Sequence, residues 1–304
     1  MKALRIFAAA LVAAFAISCG SASDNVKVDV ELPSQAEVDS VSYLIGINFG
    51  SFIKGNNFAE DLSDLNMAEI KKGMVDFLSA EGSPYDPNFG EQFDVDPNEM
   101  TRILNDFLTK KQSYKAAKNL AERYLSYMPH LEALEQMSTL IFDTMKRVHG
   151  LSKRERLLLQ VAAILHDCGK YISFANGPMC SYDIIMASEI IGLTHMEREI
   201  VANTVLFNTL KLVPYEELSD KLDREGYITV AKLSAILRVS NAMDRSHKQK
   251  FKNVKVAIKD KELVITIETL DDIALEKALF AAKTEYFESV FSIKPVVKVK
   301  RVYM

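Results

Sequence analysis

Two adjacent residues, His166 and Asp167, are the pair in this chain best suited to chemistry, because an imidazole nitrogen and a carboxylate can share a cation or pass a proton. They close the stretch LLLQVAAILHDCGK, residues 157–170. Neighbouring residues on a helix point about 100° apart, so these two groups could grip one ion from two sides. The alternative is a capped or hydrogen-bonded core histidine with no ligand. A second group is the basic run Arg245, His247, Lys248, Lys250, Lys252, Lys255, Lys259 and Lys261. It could follow a polyanion, or it could be a solvated helix end and the outward face of a strand. Cys168 and Cys180 are too few for a disulfide framework and stand either as thiols or as one bridge in an exported domain. No Gly-rich phosphate loop occurs.

The elements that must position these groups are mainly helical. Ser152 and Glu155 form a capping-box pair at the start of the central helix. Leu157, Leu158, Val161, Ile164 and Leu165 then recur at helical spacing, and Gly169 is expected to end the helix. Pro129 and His130 open a preceding helix that runs toward Gly150. A helix over 181–191 is expected to stop at Gly192, and Thr194 with Glu197 caps the next. A helix over 229–246 carries Leu233, Leu237, Asn241 and Asp244 on one face. Alternating Val254, Val256 and Ile258, then Leu263, Ile265 and Ile267, predict two strands. A helix over 272–287 and a strand over 295–302 complete a ββαβ unit.

The 304 residues, 48% apolar, are enough for two domains with real cores. The net charge of −4 hides an asymmetry: residues 24–106 carry 17 acidic and 5 basic side chains, whereas residues 107–304 carry 24 acidic and 30 basic. That break suggests modules of different origin. Lys2 and Arg5 precede an apolar run over residues 6–17 that is short for a membrane span and ends before Cys19. This resembles a bacterial lipoprotein signal, with Cys19 as the lipidation site and membrane contact through that anchor only. Residues 38–118 hold stripes at Val41, Leu44, Ile45 and Phe49, at Met67, Ile70, Met74, Phe77 and Leu78, and at Met100, Ile103, Leu104 and Phe107, the third in a helix opened by Asp96-Pro97. Acidic helices without pocket chemistry read as an association module.

Two family resemblances follow. DSVSYLIGINFGSFIK, LNMAEIKKGMVDFL and DPNEMTRILNDFLTKKQ resemble the N-terminal dimerisation domain of exported FKBP-type peptidyl-prolyl isomerases, which implies a homodimer. The isomerase barrel does not follow, so activity is not carried over. The segments around LLLQVAAILHDCGKYI, CSYDIIMASEIIGLTHMEREIVAN and AKLSAILRVSNAMDRSHKQKF are similar to the C-terminal HD-type domain of the Ppx/GppA exopolyphosphatase and guanosine-pentaphosphatase family, over about residues 119–304.

The second resemblance implies a divalent metal held by His130, His166 and Asp167, with Asn241 where the family has a carboxylate and Asn208 where it has a histidine. The departures imply weak metal affinity at most, or a structural remnant; Asp244 or Cys180 could stand in as ligands. The family's actin-like phosphatase domain has no counterpart here. The resulting expectation is a mostly α protein: signal 1–18, tether 19–37, helical dimerisation-like module 38–118, HD-like domain 119–252 and ββαβ tail 253–304. Its expected role is auxiliary or regulatory binding of polyphosphate or phosphorylated nucleotides, with Arg245, His247, Lys248 and Lys250 on the polyanion and no nucleic acid as partner. Any catalysis would be phosphohydrolysis. The alternatives are a membrane-tethered dimeric scaffold and a truncated isomerase lipoprotein, with a fused reading frame as one origin. The expected location is the periplasmic side of a membrane if the N-terminus is genuine, and the cytoplasm if the HD-like half is a separate product.

Overall fold

The structure, a computed structural model, describes residues 33–300 apart from 57, 60–63 and 96–98. Lys2, Arg5, Cys19, most of the tether and the Asp96-Pro97 helix start lie outside the described residues. The chain divides into two compact units, residues 1–67 and residues 68–304. In the first, α1 (Gln35–Gly55) starts with a complete capping box between Ser34 and Glu37. It buries no residue: Val41, Leu44, Ile45 and Phe49, the stripe expected to meet a second copy, are all exposed in the single chain. No described helix is long and apolar enough to cross a membrane.

The second unit carries α2 (Met67–Ser79) from its second residue onward and holds the core. Phe77, Phe89 and Phe93 form an aromatic knot beside α2, with ring centroids 5.5–5.8 Å apart. The long helix α3 (Met100–Arg123) runs without a break through position 118, where the sequence suggested a module edge. Its last turns bury Ala117, Leu120 and Ala121 in the core. The remaining helices are α4 (Met128–Thr144), α5 (Lys146–His149), α6 (Lys153–Leu165), α7 (Gly177–Ala187), α8 (His195–Thr209), α9 (Arg224–Met243) and α10 (Ala274–Phe291). The central helix α6 packs on α3, α4 and α8, and Leu157–Leu159 and Val161–Leu165 are all buried. Burial on every side explains why this helix reads as almost wholly apolar past its first turn.

Both predicted capping boxes form, at Ser152–Glu155 and at Thr194–Glu197. Two glycines act differently from the sequence expectation. Gly169 lies in a 3-10 turn, Cys168–Tyr171, after the helix has ended. Gly192 follows α7 by several residues, since that helix ends at Ala187. Gly192 has φ +83°, and an added Cβ would lie 2.6 Å from Ser113 Oγ and 3.0 Å from the Thr109 carbonyl. A left-handed backbone and close approach to α3 both favour glycine there.

The C-terminal sheet has the order β1-β2-β3, with β1 (Lys252–Lys259) antiparallel and β3 (Lys294–Lys300) parallel to β2 (Glu262–Glu268). Leu263, Ile265 and Ile267 are fully buried on the inner face, and β3 packs on α10, which lies against α9. The protein is therefore mostly helical, with a small three-stranded sheet in the expected ββαβ order.

Candidate functional site

Helix ends, rather than a loop, assemble the site. His130 sits in the first turn of α4, after Tyr127 as N-cap and Pro129 in the N-terminal turn. His166 caps the C-terminus of α6, Asp167 follows it, and Asp244 caps the C-terminus of α9. His130 Nδ1 lies 2.8 Å from Asp244 Oδ2, and His166 Nδ1 lies 2.8 Å from the Ala163 carbonyl oxygen. A carbonyl only accepts, and Asp244 is held ionised because hydrogen bonds from His130 and Gln249 outweigh its burial. Nδ1 of each ring is thus engaged, and both Nε2 atoms point into the cluster.

Those two Nε2 atoms face each other at 3.3 Å. Ring nitrogens at that distance share either a proton or a cation. Two imidazoles on one tetrahedral ion, each bonded at about 2.0–2.1 Å, bring their nitrogens about 3.3–3.4 Å apart. Asp167 Oδ1 is 3.3 Å from His166 Nε2. His247, assigned to polyanion binding from the sequence, stacks on His130 with centroids 3.8 Å apart. One ligand atom each from His130, Asp167 and His247 lies within 4.8 Å of the others. His247 is a ligand candidate that the sequence alone did not single out. Its φ of +55° turns the chain back over α4 just after α9, and no periodicity signals such a turn.

The donors fit a divalent ion, and little negative charge surrounds them. Burial drives the His166 pKa down to about 4, so the ring is neutral and available as a ligand. Burial also opposes ionisation of Asp167, but His166 and Lys170 outweigh it and keep that carboxyl below its usual range. Lys170 Nζ bonds Asp167 Oδ2 at 2.6 Å, so the cluster's carboxylate is already partly neutralised. Asp244 stands behind His130 as an orienting carboxylate rather than replacing Asn241 as a ligand. Asn241, one turn before Asp244, and Asn208 each keep a buried Oδ1 with no hydrogen-bond partner. A buried acceptor without a donor is costly. Cys180 stays outside the cluster; it and Cys168 are free thiols, and burial pushes the Cys168 pKa up to about 11.

The basic run is dispersed. Lys250 is committed to the Asp272 carbonyl at 2.6 Å and to buried Glu276 at 3.2 Å, while Arg245 and Lys248 are exposed. Lys255 and Lys259 point outward from β1.

A helical bundle with a histidine at one helix start, a His-Asp pair at a neighbouring helix end and a ββαβ tail defines a helical, HD-like domain. The chain belongs to the Ppx/GppA phosphatase family: the family model for Ppx/GppA phosphatase, domain III, matches residues 114–286, more than half of the chain. The match starts within α3, where core burial also begins, and ends inside α10. A search of curated proteins gave no match.

Proposed function

We propose that this chain is an auxiliary domain of the exopolyphosphatase-related type, which binds polyphosphate or phosphorylated nucleotides and holds a divalent ion weakly without turning the ligand over quickly. The observation that carries the reading is the pair of Nε2 atoms converging at 3.3 Å, beside one carboxylate already tied to Lys170. His130, His166, Asp167 and His247 would hold the ion. Bound there, it would polarise a phosphoryl oxygen or lower the pKa of water. A single carboxylate shared with Lys170 balances a dication poorly, so binding outweighs catalysis. Equilibrium dialysis of the full chain against inorganic polyphosphate, with released phosphate measured alongside, should give saturable binding and a release rate near background. Rapid, metal-dependent release abolished by His166→Ala would make the domain an enzyme and overturn this reading.

A second reading concerns the acidic front segment. Helix α1 buries nothing, yet Tyr43, Leu44, Ile45, Ile47 and Phe52 are each at least half exposed. An apolar helix of this length is poorly stable in water without a partner. A second copy is the proposed partner, in keeping with the resemblance to the isomerase dimerisation segment. If the N-terminus is genuine, lipidated Cys19 would tether that dimer on the periplasmic side of a membrane. Sedimentation of the chain lacking residues 1–32 should show a dimer at micromolar concentration, converted to monomer by Leu44→Asp with Ile45→Asp. A clean monomer before substitution would count against it.

A further inference from the structure

A cleft of about 690 Å³ lies between α3, α4 and the start of α6, and it shares no residue with the histidine cluster. Five cations line it, Lys110, Lys111, Lys146, Lys153 and Arg156, against two carboxylates, Glu135 and Asp143. Asp143 is consumed by Arg156, which bonds it through two nitrogens at 2.7 and 2.8 Å. Glu135 accepts from neutral groups, the Tyr114 hydroxyl and the Gln160 amide, both at 2.8 Å. Lys110, Lys146 and Lys153 make no ion pair among the described residues. The cleft therefore carries an excess of positive charge, beside walls formed by Phe142, Leu151 and Leu157.

The frame carrying these lysines is fixed from below. His149 is buried; its Nε2–H donates to the Phe142 carbonyl at 2.8 Å, and its Nδ1 accepts from the Leu151 backbone N–H at 2.8 Å. Lys232 Nζ donates to the His149 carbonyl at 2.7 Å. The backbone that carries Lys146 and Lys153, on either side of that histidine, is thus fixed before any ligand arrives. The cleft beside the histidine cluster has the opposite sign. That space, about 470 Å³, is lined by Glu132 and ionised Asp244, with no lysine or arginine. With no cation at the cluster, a phosphate anion would be repelled there and attracted to the basic cleft.

We infer that the basic cleft is a binding site for a multiply charged phosphate anion attached to an apolar or aromatic body, of the nucleoside diphosphate class. Lys110, Lys146 and Lys153 neutralise the phosphates, while Phe142 and Leu151 cover the body. The inference deepens the proposed function by giving its phosphorylated ligand a location, and so rests on that reading.

The test is titration of the full chain with adenosine diphosphate and, separately, with inorganic tripolyphosphate, at low and high salt. Lys146→Gln combined with Lys153→Gln should weaken both probes at least tenfold; both lysines are exposed, so the fold is kept. Leu151→Ser should weaken the nucleotide and leave tripolyphosphate unchanged. Arg245→Gln with Lys248→Gln should change neither. Binding lost in that last variant and kept in the lysine pair would overturn the cleft while the proposed function stands. No binding of either probe by the unmodified chain would overturn both. Tripolyphosphate binding alone, with no nucleotide binding, would overturn the apolar-body assignment.

Discussion

Replacing Gly169 with alanine should unfold or severely weaken the helical domain. A Cβ built on Gly169 would lie 2.2 Å from the Gly177 carbonyl oxygen, 2.2 Å from the Ser181 nitrogen and 2.7 Å from Ser181 Oγ. Two of these neighbours are backbone atoms of α7, so no side-chain rotation relieves the clash. The contact also fastens the site: Gly169 N–H donates to Ser181 Oγ at 2.8 Å, and Ser181 Oγ donates to the His166 carbonyl at 3.2 Å. Moving α7 away would break both bonds and release the turn that carries His166 and Asp167. Overpacking costs about 1–3 kcal/mol, and more where backbone must shift. At the upper end, a domain of this size would lose about 10 °C in Tm. Gly150→Ala is the control, since Gly150 has φ +66° but nothing within 4 Å of its added Cβ. It should cost only the left-handed penalty of about 1–2 kcal/mol. A Gly169→Ala Tm within 2 °C of the unmodified protein, on a scale where about 2–4 °C corresponds to 1 kcal/mol, would refute the close packing.

Asn241→Asp should raise affinity for a divalent ion by about tenfold or more, equivalent to about 1.4 kcal/mol. Asn241 precedes Asp244 by one turn, so the two lie on one face of α9, and Asp244 Oδ2 already touches His130. The amide Oδ1 is buried and without a donor, so a carboxylate there adds a charge where a neutral acceptor now stands unpaired. Affinity for hard cations rises with the number of charged ligands. Calorimetric titration with Mn2+ or Zn2+ reads this directly, without reference to turnover. His166→Ala should remove one of the two converging imidazoles and lose the binding in both backgrounds. An Asn241→Asp protein with unchanged affinity would show that the end of α9 does not face the ion. Binding that survives His166→Ala would place the ion on His130, Asp167 and His247 alone.

The sequence by itself determined the helices, their caps and the ββαβ order, because each rests on short-range chemistry. Ser152 with Glu155 and Thr194 with Glu197 are spaced to satisfy free helix N–H groups, and both boxes form. Alternation marked Leu263, Ile265 and Ile267 of β2, all of which are buried, although Ile258 at the end of β1 is exposed. The resemblance also reached the family, and residues 114–286 match it. What needed tertiary structure was every relation between distant helix ends. His247 reads as one more member of a basic run until the turn after α9 lays it on His130, 117 positions earlier in the numbering. Asp244 reads as a spare ligand until its oxygen is found behind His130. Gly169 reads as a helix terminator, yet its lack of a side chain serves a contact with α7 that no local pattern encodes. The basic cleft shows the same thing, since Lys110, Lys146 and Lys153 belong to three helices and share no motif. Local sequence fixes backbone hydrogen bonding within a few residues, whereas the position of a charge relative to another is set by how buried helix faces pack.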